Sequence, residues 1–450
     1  MFPFLIVTLP FLTGLTQGNL TKFLGVKFAE AGRFEIPRAP PELRGVQNAK
    51  AFGPACPQQA TTPLPFPFVS GPYPSISEDC LTLDVYKPAA ANSHSQLPVL
   101  VWIYGGGFQD GNTRDVNASP VVQRSIETGE PIIVVTPNYR MSAFGFLAGK
   151  EAAAAGTTNL GLRDQIFALE WESGSPYSLH SIADHQSTYD ALVAANNCNR
   201  SKDTLNCLRQ VPFESFMATV NHTLDIFSYR SLHLVWEPIF SWSNQNITTD
   251  AEFLDYVHSN YLPTTTKDQI AELGRLYPED PTQGSPFDTG TANELTPEYK
   301  RLSSFQGDFA FIAPRRFLLE HASLTQDTWS WLNKRGKDAT PLGAFHVSDA
   351  QIWFPTDTTN DTIGVDAMIN FVNTLDPNKP AEHSNTKLST SWPKWNTRSP
   401  AGSPSLLTFT DAGINTTAEN FRVDAIEFLN NLLLEEAMGS NSATLIINGS

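Results

Sequence analysis

The most constraining feature of the sequence is a continuous apolar run that ends on three glycines. Val99 to Tyr104 (VLVWIY) leads directly into Gly105-Gly106-Gly107. A strand that is apolar at every position is buried on both faces, as in the middle of a sheet covered by helices on both sides. A second such run, Ile132 to Val135 (IIVV), follows after enough residues for a crossover. The sequence therefore predicts an α/β fold.

Other periodic segments agree with this class. The alternating segment Leu81 to Tyr86 is typical of a half-buried strand. A helix is expected from Asn159 to Trp171, with 162, 166 and 169 on its buried face. We also predict mostly helix over 250–320, strands at 328–332 and 406–410, and amphipathic helices at 365–375 and 418–436.

Two abrupt junctions interrupt the pattern. A sheet wound in this way should continue with a strand after Trp171, but ESGSP follows, and the next periodic segment, 182–195, is again a helix. Residues 232–236 alternate like a strand, and Pro238 then runs into IFSW without a turn or helix. A central strand is therefore missing after the 159–171 helix.

Charge and hydropathy exclude two classes of partner. The 450 residues include 46 Asp and Glu against 30 Lys and Arg, giving a net charge of −16 at pH 7. Nucleic acid and anionic membranes both need a basic face, so neither is expected as a partner. No apolar stretch after the N-terminus reaches the ~18 residues that span a bilayer.

The cysteines and glycosylation sequons indicate an extracellular protein. Cys56 and Cys80, and Cys198 and Cys207, are two local pairs without CxxC metal or redox spacing. Four buried thiols are the alternative to two disulfides. Asn-x-Ser/Thr sequons favour an oxidising, glycosylating route; they are Asn19, Asn117, Asn199, Asn221, Asn246, Asn360, Asn415 and Asn448. The apolar N-terminus fits either a signal peptide or an edge hairpin over 4–15.

The glycines after the VLVWIY run are candidates for binding an anion. Glycine permits backbone conformations that a side chain blocks, so that N–H groups can point at one spot. Two such groups can stabilise the negative oxygen that forms when an ester carbonyl is attacked. An ordinary turn is the alternative, but α/β folds place their sites at the carboxyl ends of buried strands. We favour an oxyanion loop.

His346 is a candidate general base. It lies in GAFHVSD, a loop that follows the predicted 328–332 strand. An imidazole at a strand end is suited to take a proton from a hydroxyl nucleophile. A surface or core role is the alternative, because eight other histidines are scattered through the chain.

A series of motifs in one order resembles the type-B carboxylesterase/lipase family, which includes the cholinesterases and fungal lipases. The matching segments are FLGVKFA (23–29), FGPACPQ (52–58), SEDCLTLDVYKP (77–88), VWIYGGGF (101–108), PNYR (137–140), NLGLRDQIFALEW (159–171), CNRSKDTLNCLR (198–209), APRR (313–316), GAFHVSD (343–349) and WPKW (392–395).

This resemblance implies an α/β-hydrolase fold, with a central, mostly parallel sheet flanked by helices. It implies disulfides within both local cysteine pairs, oxyanion donors at Gly106 and Gly107, and His346 as the general base. It further implies a secreted hydrolase of small-molecule or lipid esters that needs no metal or organic cofactor.

The sequence lacks the motifs that carry two of the family's catalytic residues. Such proteins carry the nucleophile in a G-x-S-x-G elbow, normally GESAG, after the NLGLRDQ helix. No G-x-S-x-G occurs in the chain, and its expected place is the 171/172 junction. The family's acidic DEGT-like segment is also absent, at the 238/239 junction. We therefore predict one domain over 1–450, with internal deletions at both junctions, that lacks the elbow strand.

Two residues at the junctions are weak substitutes. Ser173 lies in WESGS, with Trp171 where the strained elbow turn needs glycine. Glu237 could orient His346, but both residues are expected to be ordinary surface groups.

Three functions remain open. The preferred one is an active carboxylesterase whose coding sequence has lost two segments, because both junctions are abrupt and both remove catalytic residues. The others are an inactive member used for binding, and a hydrolase that acts through Ser173 or another serine.

Overall fold

The computed structural model describes residues 12–41, 45–59, 75–92, 94–169, 186–222, 245–356, 362–382, 384, 388–398 and 402–439. Both junctions lie outside these residues, as do the predicted 232–236 strand and the segment 1–11. The chain forms two compact units. The first comprises 1–174, 182–225 and 350–389, and the second comprises 175–181, 226–349 and 390–450. A single domain over 1–450 stays a prediction.

The strands are β1 (Leu12–Thr13), β2 (Leu15–Gln17), β3 (Leu20–Lys27), β4 (Gln47–Asn48), β5 (Thr82–Pro88), β6 (Val99–Val101), β7 (Ile133–Pro137), β8 (Trp331–Asn333), β9 (Ser405–Thr410) and β10 (Gly413–Ala418).

The α-helices are α1 (Ser119–Glu127), α2 (Ser142–Phe146), α3 (Lys150–Ala154), α4 (Leu160–Leu169), α5 (Gln186–Ala195), α6 (Thr204–Gln210), α7 (Phe213–Val220), α8 (Asp250–Asn260), α9 (Lys267–Leu276), α10 (Tyr299–Gly307), α11 (Ala313–Ala322), α12 (Ala350–Trp353), α13 (Ile363–Thr374) and α14 (Val423–Gly439). Short 3-10 turns cover Cys198–Arg200 and Pro281–Gln283, and a π-helix covers Asp308–Ile312.

The first unit contains a five-stranded sheet in the order β2-β3-β5-β7-β6. The pairs β2–β3, β3–β5 and β5–β7 are antiparallel, and β6–β7 is parallel. Helix α1 lies between β6 and β7 in the chain, because parallel neighbours need such a crossover. The predicted α/β class is confirmed.

Strand β5 occurs where the alternating segment predicted it, but the prediction of a half-buried strand is wrong. Every residue except Lys87 is buried, because β5 lies between β3 and β7. Leu83 and Val85 pack in one core cluster and Tyr86 in another. The polar residue that produced the alternation, Asp84, is also buried, and it accepts the Gly25 N–H at 2.7 Å.

The VLVWIY run forms a short strand that lies at one end of the sheet formed by the described residues, and its predicted place in the middle of the whole sheet stays a prediction. Only Val99–Val101 pair, and all three residues are half-buried. Within the described residues, β7 is the only strand paired with β6. The residues after α4, where a further strand was expected, lie outside them.

Helix α4 confirms the helix predicted at 159–171 but not its buried face. Leu169 is buried as predicted, whereas Ile166 is 40% exposed. The buried face instead includes Asp164, which forms a buried ion pair with Arg140. That ion pair sets the rotation of the helix, so apolar spacing alone gave the wrong face.

The second unit confirms a mainly helical region over 250–320. A sheet in the order β10-β9-β8 follows, in which β8–β9 is parallel and β9–β10 antiparallel. The strand predicted at 328–332 is shifted to β8, and β10 was not predicted at all. Consequently the helix predicted from Ala418 begins only at Val423. None of the described helices is long and apolar enough to cross a bilayer.

Candidate functional site

The glycine loop after β6 has a backbone that only glycine tolerates at its first turn. Gly106 has φ +102°, Gly107 +59° and Phe108 +60°. A Cβ at Gly106 would lie 2.0 Å from the Asp110 carbonyl oxygen. The loop closes on itself, because the Gly106 carbonyl accepts the N–H groups of Gln109 and Asp110 at 2.9 and 3.1 Å.

Both ends of the loop are held by buried side chains. Before it, the Tyr139 hydroxyl donates to the Tyr104 carbonyl at 2.9 Å, and the two rings stack at 4.6 Å between centroids. After it, the Gln58 amide donates to the Gly111 carbonyl at 2.7 Å and accepts the Gly111 N–H at 3.2 Å. Sequence reasoning missed these two residues, although both lie in the FGPACPQ and PNYR motifs.

The loop presents backbone donors. Gly106 and Gly107 are partly exposed, and among the described residues no hydrogen bond uses the N–H of either. Two N–H groups on one tight turn can bind a negatively charged oxygen. The oxyanion role of both glycines nevertheless stays a prediction.

The four cysteines form two disulfides, Cys56–Cys80 and Cys198–Cys207. The alternative of four free thiols is therefore wrong. Cys56–Cys80 closes the segment that carries Gln58, so this disulfide also supports the glycine loop.

His346 lies in the second unit with its ring against Phe311, the centroids 5.1 Å apart and the planes at 24°. Burial lowers the pKa of His346 to about 3. The imidazole is therefore neutral at neutral pH, as a general base must be. However, a base works best with a pKa near the working pH, so this one is weak.

The other proposed catalytic groups are not placed. Ser173 and Glu237 lie outside the described residues. Gly106 and Gly107 belong to the first unit and His346 to the second; the role of His346 as base stays a prediction. Among the described residues, no group of three His, Cys, Asp or Glu side chains could hold a metal ion.

Part of the chain is similar to a known protein family. The profile of the Carboxylesterase family matches residues 12–171. The match ends at Trp171, the residue at which the sheet pattern of the sequence breaks.

Two named relatives cover most of the chain. It is 28% identical over 526 positions to the secreted triacylglycerol lipase LIP1 of Gibberella zeae, covering 92% of this chain and 88% of that protein. It is 26% identical over 457 positions to the inactive carboxylesterase-like protein VdtD of Byssochlamys spectabilis, covering 80% and 75% respectively.

The alignment to LIP1 includes positions that this chain lacks. It spans 526 positions but includes only 92% of this chain, about 414 residues, so about 112 of its positions have no counterpart here. Such a difference fits internal segments that the relative has and this chain lacks.

The fold comparison agrees with the sequence comparison. The crystal structure of Aspergillus niger EstA matches with a TM-score of 0.73 and 21% identity, covering 95% of this chain and 97% of that one. This likeness confirms the predicted α/β-hydrolase fold. With the ordered motifs, the profile match over 12–171 and the fungal relatives taken together, the chain is similar to proteins of the carboxylesterase family.

Proposed function

We propose that this chain is a secreted carboxylic ester hydrolase by descent, and that the sequence as it stands cannot complete the serine reaction. The observation that carries the proposal is the end of the family match at Trp171, with no G-x-S-x-G anywhere in the chain. Helix α4, which precedes the elbow in the family, is present, and so is the glycine loop. What the chain lacks is the elbow segment that follows this helix in the family, and with it the serine nucleophile.

The complete reaction would be acyl transfer to water through a serine acyl-enzyme. His346 would take the serine proton and then return it to the leaving alcohol, while the Gly106 and Gly107 N–H groups bind the oxyanion. Without the hydroxyl no acyl-enzyme forms. Loss of the nucleophile removes about six decades of rate, and binding with the oxyanion loop retains ~10³-fold over water.

The substrate class and location follow from the family. LIP1 is by name a secreted triacylglycerol lipase, which supports a small-molecule or lipid ester as the substrate of the complete protein. Two disulfides support secretion. Glycosylation is also proposed, because the sequon residues Asn199, Asn246 and Asn415 are exposed.

A repair experiment tests the proposal. The chain is compared with a variant that carries the corresponding LIP1 segments inserted at both junctions. We expect the chain itself to show no labelling by a fluorophosphonate probe and no saturable hydrolysis of an aryl ester. The repaired variant should gain both, and His346→Ala in it should remove the hydrolysis. Saturable hydrolysis by the unrepaired chain that is lost with His346→Ala would falsify the proposal.

A second candidate is a non-catalytic binding protein of the same fold; the relative VdtD is by name an inactive carboxylesterase-like protein, which supports the loss of activity but not a binding role. Transcript sequencing across both junctions separates the two. A message that contains the missing segments supports an interrupted hydrolase. An uninterrupted message without them, together with a purified monomer that melts cooperatively, supports the binding protein.

A further inference from the structure

A π-helix in the second unit lies beside His346. Asp308–Ile312 forms it, between α10 and α11. The sequence explains the change of helix type, since Pro314 lacks an N–H and its ring would clash with the Ala310 carbonyl in a regular helix. Single π-turns of this kind occur frequently at functional sites.

The first residue of the π-helix is firmly anchored. The fully buried Asp308 carboxylate accepts two hydrogen bonds from Arg422, both at 2.6 Å, and one from the Tyr277 hydroxyl at 3.0 Å. Arg422 itself lies 3.8 Å above the Phe287 ring. A bidentate ion pair between arginine and a carboxylate has a defined geometry. The pair therefore fixes the position of Asp308, the residue at which the π-helix begins.

The two phenylalanines of the π-helix have different neighbours. Phe309 packs against Tyr261 and Phe305, with ring centroids 5.2 and 5.6 Å away. Phe311 instead stacks on the His346 imidazole. One ring therefore belongs to the core of the unit, and the other contacts the candidate base.

The loop that carries His346 is constrained from its own side as well. Gly343 has φ +59°, and a Cβ there would lie 2.6 Å from Pro286. Val347 has φ +60°, which is strained for a β-branched residue. Ser348 is held by the Asn333 side chain at 3.0 Å.

We propose that Phe311 is a positioning residue for His346: anchored through the Asp308–Arg422 pair, its ring fixes the orientation of the imidazole and keeps water from one of its faces. The inference rests on the proposed role of His346 as the base. It concerns the state of the imidazole, which can be measured without turnover.

Histidine NMR on the full chain tests the inference, with His346→Gln used to assign the resonances. In Phe311→Leu we expect the His346 ring signals to move and its pKa to rise from about 3 toward the ordinary value near 6.5. Phe311→Tyr keeps a ring on the imidazole and should preserve both properties. Phe309→Leu is the matched control on the same turn, and it should leave His346 unchanged.

A variant at the anchor completes the test. Arg422→Lys keeps the charge but cannot make the bidentate contact, so we expect a smaller change of the His346 signals in the same direction. It also serves if the Phe311→Leu protein does not fold. The inference is overturned if the His346 signals and pKa are the same in Phe311→Leu as in Phe309→Leu. It is also overturned if Arg422→Lys leaves the His346 signals unchanged. Neither result depends on ester hydrolysis, so failure here is distinct from failure of the repair experiment.

Discussion

At the residue scale, Gly106 and Asp84 show how the position of a residue determines the effect of its side chain on the stability of the fold. Gly106 has both a positive φ and a backbone oxygen where a Cβ would lie. Asp84 is a carboxylate in the middle of the sheet, 1% exposed. Each residue gives a prediction that does not depend on catalytic activity.

Gly106→Ala should destabilise the protein by ~3 kcal/mol or more, because the backbone strain is added to a clash with Asp110. Gly156→Ala is the control: its φ is +67° and a Cβ would have nothing within 4 Å, so only ~1 kcal/mol is expected. Urea unfolding measures both. Equal losses in the two variants would show that the close approach in the glycine loop is wrong.

Asp84→Asn should change the pH dependence of stability. Burial raises the pKa of Asp84 from 3.8 to about 6, so between these values the folded state keeps a proton that the unfolded state has lost. The stability contributed by Asp84 is therefore present below pH 4 and lost as the pH rises through 6.

The free energy of unfolding of Asp84→Asn, relative to the unchanged protein, should accordingly rise between pH 4.5 and 7.5. Asp255→Asn, which replaces an exposed carboxylate, is the control for the substitution itself. A flat difference for Asp84→Asn would contradict a buried carboxylate with a raised pKa.

At the element scale, helix α4 is held by the pair Arg140–Asp164. Asp164 accepts the Arg140 N–H at 3.0 Å and two guanidinium hydrogen bonds at 2.8 Å. Gly161 permits the approach, because a Cβ there would lie 2.3 Å from the Arg140 carbonyl oxygen. The motifs PNYR and NLGLRDQ thus contact each other in the folded protein.

Removing one partner of this buried pair should cost more than removing both. Asp164→Ala leaves the Arg140 charge unpaired, with an expected loss of ~3–5 kcal/mol. The double variant Arg140→Met/Asp164→Leu should lose less, since no buried charge remains. Chemical denaturation, with hydrogen exchange over 160–169, measures both. A double variant as unstable as the single one contradicts this account.

Sequence patterns predicted most elements but not their surroundings. The strands at β5, β7 and β9 and the helices at α4, α5 and α13 were predicted from periodicity, with ends shifted by a few residues. The exposure of β5 and the face of α4 were not, because a buried Asp looks like a surface residue until its partner is known. Strand β10 was missed because GINTTA is too polar to signal pairing.

At the scale of the whole molecule, net charge dominates interactions with solvent and with other polymers. A charge of −16 should repel anionic surfaces at ordinary ionic strength.

Only part of the candidate site could be predicted from the sequence. The glycine loop and His346 could be identified there. Gln58, Tyr139 and Phe311 could not, because the residues they contact are distant in sequence. Only the structure shows those contacts.

The charge leads to a binding prediction. At pH 7 and low salt, the protein should bind an anion exchanger and elute with salt, because screening weakens the attraction. It should not co-sediment with anionic vesicles or shift duplex DNA. Salt-sensitive binding to either of these would reveal a local basic face that the net charge conceals.

The anchoring of α4 near its middle has one practical consequence. Asp164 joins the helix to Arg140, and both residues precede the 171/172 junction. A segment inserted at that junction would therefore follow a helix whose docking contact is already in place.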